Sequence, residues 1–233
     1  MCTVSYVPLE NGFMLTSSRD EKAHRPTAIP QVYELNNENL IFPKDLQSGG
    51  TWIALAPTEK RMACLLNGAF ENHQKKDQYR MSRGKVLLEN FKYPNAEIFN
   101  AFQTFEDIEP FTLLLLEIDQ FLKFSELRWD GTQKYFSRIN IQKPKIWSSA
   151  TLYDRTIREE REAKFENWLA HNNWKDIENF HAQKHGLSTQ NDIIMKREEG
   201  LQTLSISQIH YQQSNFTFNY SDLVEQKTYS INA

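Results

Sequence analysis

Cysteine is scarce in this chain: Cys2 and Cys64 are its two cysteines in 233 residues. That excludes a disulfide framework as the source of stability and makes a reducing compartment the expectation. A surplus of charge of one sign is equally lacking. With 27 basic against 30 acidic residues the net charge is -3, which offers no electrostatic footprint for nucleic acid or an anionic membrane. The longest apolar run centres on residues 113–116 and is far too short to span a bilayer. The amino-terminal stretch has neither a basic n-region nor a long apolar h-region. The expectation is a cytoplasmic protein with no nucleic-acid partner and no membrane insertion. A P-loop, a dinucleotide fingerprint and a G-x-S-x-G elbow are absent. So are internal repeats and linkers rich in Pro, Gly or Ser.

What is present can build a core. Hydrophobic residues make up 39% and aromatics 12%, enough for one large domain over residues 1–233. Residues 3–8 and 13–16 read as strands joined by a turn at Asn11-Gly12. Arg19-Asp20-Glu21 falls just past the second strand. A second hairpin, residues 51–55 and 61–66, ends at Asn67-Gly68. Residues 71–80 form a polar loop. Helical patterns cover 82–91 and 96–105. Strand patterns follow at 111–118, 124–129, 134–139 and 146–148, with a turn at Asp130-Gly131. Residues 157–172 are amphipathic, with Phe165, Trp168 and Leu169 on one face. A short helix over 175–185 turns Ile177 and Phe180 inward and stops at Gly186. Strands at 202–211 and 215–220 close the chain. Strands, helices, strands, helices, strands is an α+β order: sheets covered by helices.

Cys2 carries two readings. It is a small residue opening a strand, or it becomes the amino terminus once Met1 is removed. A terminal cysteine joins a thiol to an α-amine whose reference pKa is near 8, so one residue holds both nucleophile and base. In an antiparallel hairpin the start of strand one lies beside the end of strand two. Cys2 is therefore expected near Arg19 and Asp20. The carboxylate would orient the amine, and the guanidinium would favour the thiolate and hold a substrate carboxylate. Asn67, at a strand end, could donate to an oxyanion. His181 and His185 have metal-ligand spacing, but no carboxylate or cysteine accompanies them, so two exposed helix-end histidines are expected and no metal. Cys64 is expected in the core. No cofactor is indicated, and the sequence specifies no oligomeric state.

These segments resemble the NRDE, or transport-and-Golgi-organisation, family of the N-terminal-nucleophile (Ntn) hydrolase superfamily. The match begins at "MCTV" and continues through "LTSSRDE", where Ser18 replaces the Asn of the name. "GGTWIAL", "CLLNGAF", "SRGKVLL", "FTLLLLEID", "LRWDG", "IWSSATLY" and "LQTLSISQI" follow in family order. The resemblance implies a four-layer αββα sandwich of two antiparallel sheets. It further implies the cysteine branch, which holds penicillin V acylase and bile salt hydrolase and cleaves non-peptide amides through a thioester. Carried over, Cys2 is nucleophile and base, Arg19 and Asp20 orient amine and substrate, and Asn67 is an oxyanion donor. Ser149 stands about where that branch has a second Asn, and Arg197 about where it has a late Arg; both become substrate-binding candidates. The implied partner is a small-molecule amide. The rival implication, from eukaryotic members, is a non-catalytic protein that carries a hydrophobic metabolite such as a lipid or haem.

Overall fold

Strand β1 (Thr3–Leu9) turns into β2 (Gly12–Lys22), and Leu9 pairs with Gly12. The turn is therefore Glu10-Asn11 and not the Asn11-Gly12 expected. Gly12 is needed for another reason: a Cβ there would lie 1.8 Å from the carbonyl oxygen of Tyr211 on the neighbouring strand. Strand β2 also runs six residues further than its 13–16 pattern. Arg19 and Asp20 lie inside it, 3% and 2% exposed. Ser-Ser-Arg-Asp-Glu is poor strand sequence, but β2 is paired on both sides and pairing overrides propensity.

The computed structural model describes residues 3–233, and the chain divides into two units. The first comprises Met1–Arg25 and Gln142–Ala233. Its strands are β1, β2, β10 (Lys145–Ser148), β11 (Leu201–Gln212), β12 (Asn215–Asp222) and β13 (Lys227–Asn232). They form an antiparallel sheet in the order β10-β1-β2-β11-β12-β13. Helix α3 (Arg155–His171) starts on Asp154, whose carboxylate accepts from the Ile157 amide at 2.9 Å. Its buried Phe165 and Trp168 meet Phe180 of α4 (Ile177–His181) at ring-centroid distances of 5.4 and 5.8 Å. Val7, Met14, Ile146, Ile177 and Ile193 complete this cluster. Each such side chain contributes about 1.5–3 kcal/mol by burial. Helix α4 ends at His181, well short of Gly186. The Asp192 carboxylate accepts from the amides of His185 at 2.8 Å and Leu187 at 3.2 Å, so these amides are not available to continue the helix.

The second unit is Pro26–Ile141. Its antiparallel sheet has the order β3-β4-β5-β6-β7-β8-β9. The strands are β3 (Thr27–Leu35), β4 (Glu38–Asp45), β5 (Ile53–Ala56), β6 (Arg61–Asn67), β7 (Phe111–Ile118), β8 (Leu122–Trp129) and β9 (Lys134–Arg138). Cys64 is buried between Ile53 and Leu114, in the core as expected. Helices α1 (Arg83–Glu89) and α2 (Ala96–Phe102) are capped by Ser82 and Asn95. Two of the segments quoted above meet here. A Cβ on Gly50 would lie 2.5 Å from the Gly84 carbonyl carbon, and one on Gly84 2.8 Å from the Thr51 oxygen. "GGTW" and "SRG" are thus one contact, closed by the Thr51 amide donating to the Gly84 oxygen. The expected α+β class, with two antiparallel sheets and helices, is what the structure shows.

Candidate active site

Strand alternation decides where the charged pair points. Thr3 pairs with Ser18 and Val4 with Ser17, and successive side chains of β2 face opposite sides of the sheet. Asp20 faces the side of α3. Its Oδ1 accepts from the Thr203 hydroxyl at 2.7 Å and its Oδ2 from the Tyr153 hydroxyl at 3.4 Å. Arg19 faces the other side, the side of Tyr220. Burial pushes the Tyr220 phenol up, while the Ser205 hydroxyl and the Arg19 charge act against that rise. Two residues adjacent in sequence therefore serve the two faces of one strand. Cys2 lies outside the described residues, and with it the expected contact of its thiol with Arg19 and Asp20.

Ser149 is fully buried at the end of β10, with its Oγ 2.9 Å from Thr151 Oγ1. Arg197 donates from Nη2 to the Leu152 oxygen at 2.8 Å and stands 5.7 Å from the Tyr153 ring centre. Tyr153 gathers these residues. Its amide donates to the Ser149 oxygen at 3.0 Å, its ring lies beside Arg197, and its hydroxyl reaches Asp20. The structure thus brings Asp20, Ser149 and Arg197 around one tyrosine.

Asn67 belongs to the other unit. It closes β6 opposite Phe111 and is half-buried. The residues after it are tied down at three points. The Gly68 amide donates to the Pro110 oxygen at 3.0 Å, Thr112 Oγ1 donates to the Gly68 oxygen at 2.9 Å, and Arg128 donates to the Ala69 oxygen at 2.7 Å. Arg83 reaches the same Pro110 oxygen at 3.3 Å and pairs with Glu109 at 3.0 Å. These contacts fix the backbone that follows Asn67 at the end of β6.

The histidines correct the sequence expectation. His181 is fully buried and not exposed; its Nε2 is 2.7 Å from Ser5 Oγ and its Nδ1 2.8 Å from Ser18 Oγ. Burial, with the charges of Arg161 and His185, pushes it down to about 3. It is a neutral imidazole, so one hydroxyl donates to it and the other accepts. His185 is half-buried and bonds the Phe180 oxygen through Nε2 at 2.9 Å. Among the described residues, no group of three His, Cys, Asp or Glu side chains could hold a metal ion. No helix among them is long and apolar enough to cross a membrane.

Sequence reasoning missed Thr203, Tyr153 and Arg161. Arg161 had one signal: it stands four residues before Phe165 and seven before Trp168, on the apolar face of α3.

The fold is that of a known class. The structure is similar to a variant of conjugated bile acid hydrolase from Clostridium perfringens, with a TM-score of 0.61 at 10% identity. The match covers 99% of this chain and 92% of that one. At that identity the likeness shows the fold alone, the α+β fold of the Ntn hydrolases. The search of curated proteins found no match. The chain's own sequence matches the family Transport and Golgi organisation 2 over residues 1–230, and the chain belongs to that family.

Proposed function

We propose that the protein is an N-terminal-cysteine amidohydrolase acting on a linear or cyclic amide of a small molecule. On this reading residues 1–233 are one cytoplasmic domain of the NRDE type, and removal of Met1 leaves Cys2 as the terminus. The α-amine takes the thiol proton and the sulfur attacks the amide carbonyl. The carbon–nitrogen bond breaks, the nitrogen leaves with that proton, and water hydrolyses the thioester. Arg19 favours the thiolate from one face of β2, and Asp20 orients the amine from the other. Asn67 donates to the oxyanion, while Ser149 and Arg197 contact the substrate.

The observation that carries the reading is the pairing of Thr3 with Ser18. Cys2 is bonded to Thr3, and Ser18 is followed by the buried Arg19 and Asp20, with Asp20 held by two donors. A buried carboxylate fixed this way beside the first strand's start suits an amine partner. The shared fold with a hydrolase of conjugated bile acids adds support.

The test is the intact mass of the purified protein, followed by a screen of N-acyl compounds on the parent and on Cys2→Ser. Loss of Met1 and turnover that collapses in Cys2→Ser is the expected result. Retained Met1, or binding of a hydrophobic compound without turnover in either protein, would make a lipid or haem carrier the better description.

A further inference from the structure

Arg161 is a fully buried cation whose acceptors among the described residues include no carboxylate. Its Nε donates to Ser148 Oγ at 2.9 Å, and its Nη1 to the oxygens of Asn191 and Asp192, both at 2.7 Å. Its Nη2 donates to Thr3 Oγ1. Its guanidinium carbon lies 4.1 Å from the centre of the Tyr153 ring, whose hydroxyl reaches Asp20. One side chain of α3 therefore touches the start of β1, the end of β10, the 191–192 segment and the tyrosine that serves Asp20.

A charge in that place is costly to desolvate, and an apolar side chain of similar volume would often serve stability as well. What an apolar side chain lacks is the rigid fork of donors that holds several chain segments at once. Two of the four acceptors, Thr3 and its strand partner Ser148, sit at the amino-terminal end of β1. Thr3 is joined to Cys2 by a single peptide bond.

We infer that Arg161 is the positioning residue of the amino terminus: it anchors Thr3 and seats Tyr153 against Asp20, and so sets where Cys2 stands relative to Arg19. The inference rests on the amidohydrolase reading and adds a residue to it. Arg161 touches neither substrate nor reacting atoms in this role. It acts through Thr3 and Tyr153.

The test uses the full chain and iodoacetamide, with labelling of Cys2 located by peptide mass and followed from about pH 5 to pH 9. Cys64, sealed in the second unit's sheet, is the internal control for global unfolding. The parent should label Cys2 with a midpoint well below the ordinary thiol value of about 8.5. In Arg161→Lys, which keeps the charge and loses the fork, the midpoint should rise toward that value. Labelling at about pH 6.5 should then fall roughly tenfold for each unit of rise. Thr3→Val should shift it in the same direction while Tyr153 stays seated, and it carries the test if Arg161→Lys does not fold. A role in stability alone would lower the unfolding temperature and leave the midpoint in place. Folded variants with the parent's midpoint overturn the inference and leave the amidohydrolase reading intact. A parent with an ordinary midpoint overturns both.

Discussion

The Thr203 hydroxyl donates to Oδ1 of Asp20 at 2.7 Å, from β11 to β2. The Thr203 Oγ1 in turn accepts from the Met195 amide at 3.0 Å. The register between the two strands shifts beside this contact, between Thr203 and Ser205. A bulge re-aims a side chain locally, and here it sets the threonine opposite a buried carboxylate that needs a donor.

Thr203→Val should therefore destabilise the protein by about 1.5–3 kcal/mol, the range for a hydrogen bond to a charged group. Thr203→Ser should recover most of the loss, because it keeps the hydroxyl. Urea unfolding of the three proteins at neutral pH measures both. A Val variant as stable as the parent would show that Asp20 finds another donor.

His181 supplies a pH dependence. Its folded value is pushed down to about 3 from 6.5, so the unfolded chain takes up the proton first as pH falls. The stability that depends on the neutral imidazole is fully present above about 6.5 and is lost as pH falls from there toward about 3, at up to ~1.4 kcal/mol per unit. His181→Gln should start less stable and show a flatter decline across that window. Unfolding free energies at pH 7, 5.5 and 4 test it; parallel curves for parent and variant would assign the acid sensitivity to other groups.

Gly84→Ala forces a methyl to within 2.8 Å of the Thr51 oxygen and 2.9 Å of the Thr51 nitrogen. Both obstacles are backbone, so the approach of the first turn of α1 to residues 50–51 itself has to move. A loss of about 1–3 kcal/mol is expected, the usual range for overpacking. The melting temperature of Gly84→Ala, beside that of an alanine placed at exposed Gln183 as a neutral control, checks the assignment.

Asn67→Ala should raise the barrier to turnover by about 2.7–4 kcal/mol if its amide serves the oxyanion. Cys2→Ser should lose turnover by orders of magnitude while it still binds the compound found in the screen, since a hydroxyl is far harder to ionise than a thiol. Steady-state kinetics on that compound reads both. Undiminished turnover in Cys2→Ser removes the nucleophile assignment.

Much of the sheet structure was legible because it followed local rules. The apolar run of β7, the strand patterns of β8 and β11, and the aromatic face of α3 all stood at the expected positions. The hairpin of β3 and β4 was not legible. Pro30 interrupts its first strand, and the structure accommodates it at a register shift between Ala28 and Gln31. Its turn is Asn36-Asn37, both with positive φ, a two-residue loop without the glycine that usually marks one. Strand β13 offers only Tyr229 and Ile231 as half-buried positions. At the candidate site, the nearness of β1's start to Arg19 and Asp20 followed from hairpin geometry. Their burial and opposite directions did not, because both depend on β11, a strand some 180 residues away. Thr203 is recruited to Asp20 across 183 residues and Tyr153 across 133, and no local pattern announces such partners.

The first unit is made from the two ends of the chain, and the second from its unbroken middle. Ribosomal synthesis meets these in a fixed order. Strands β1 and β2 emerge first, the whole of Pro26–Ile141 follows, and only then do the neighbours that flank them appear: Ser148 for Thr3, Ile206 for Ser18. At about 5–20 residues per second the wait is on the order of ten seconds or more. Throughout that interval the opening hairpin has no flanking strand on either side. The outer edges of β1 and β2 are therefore closed late, once β10 and β11 have been made.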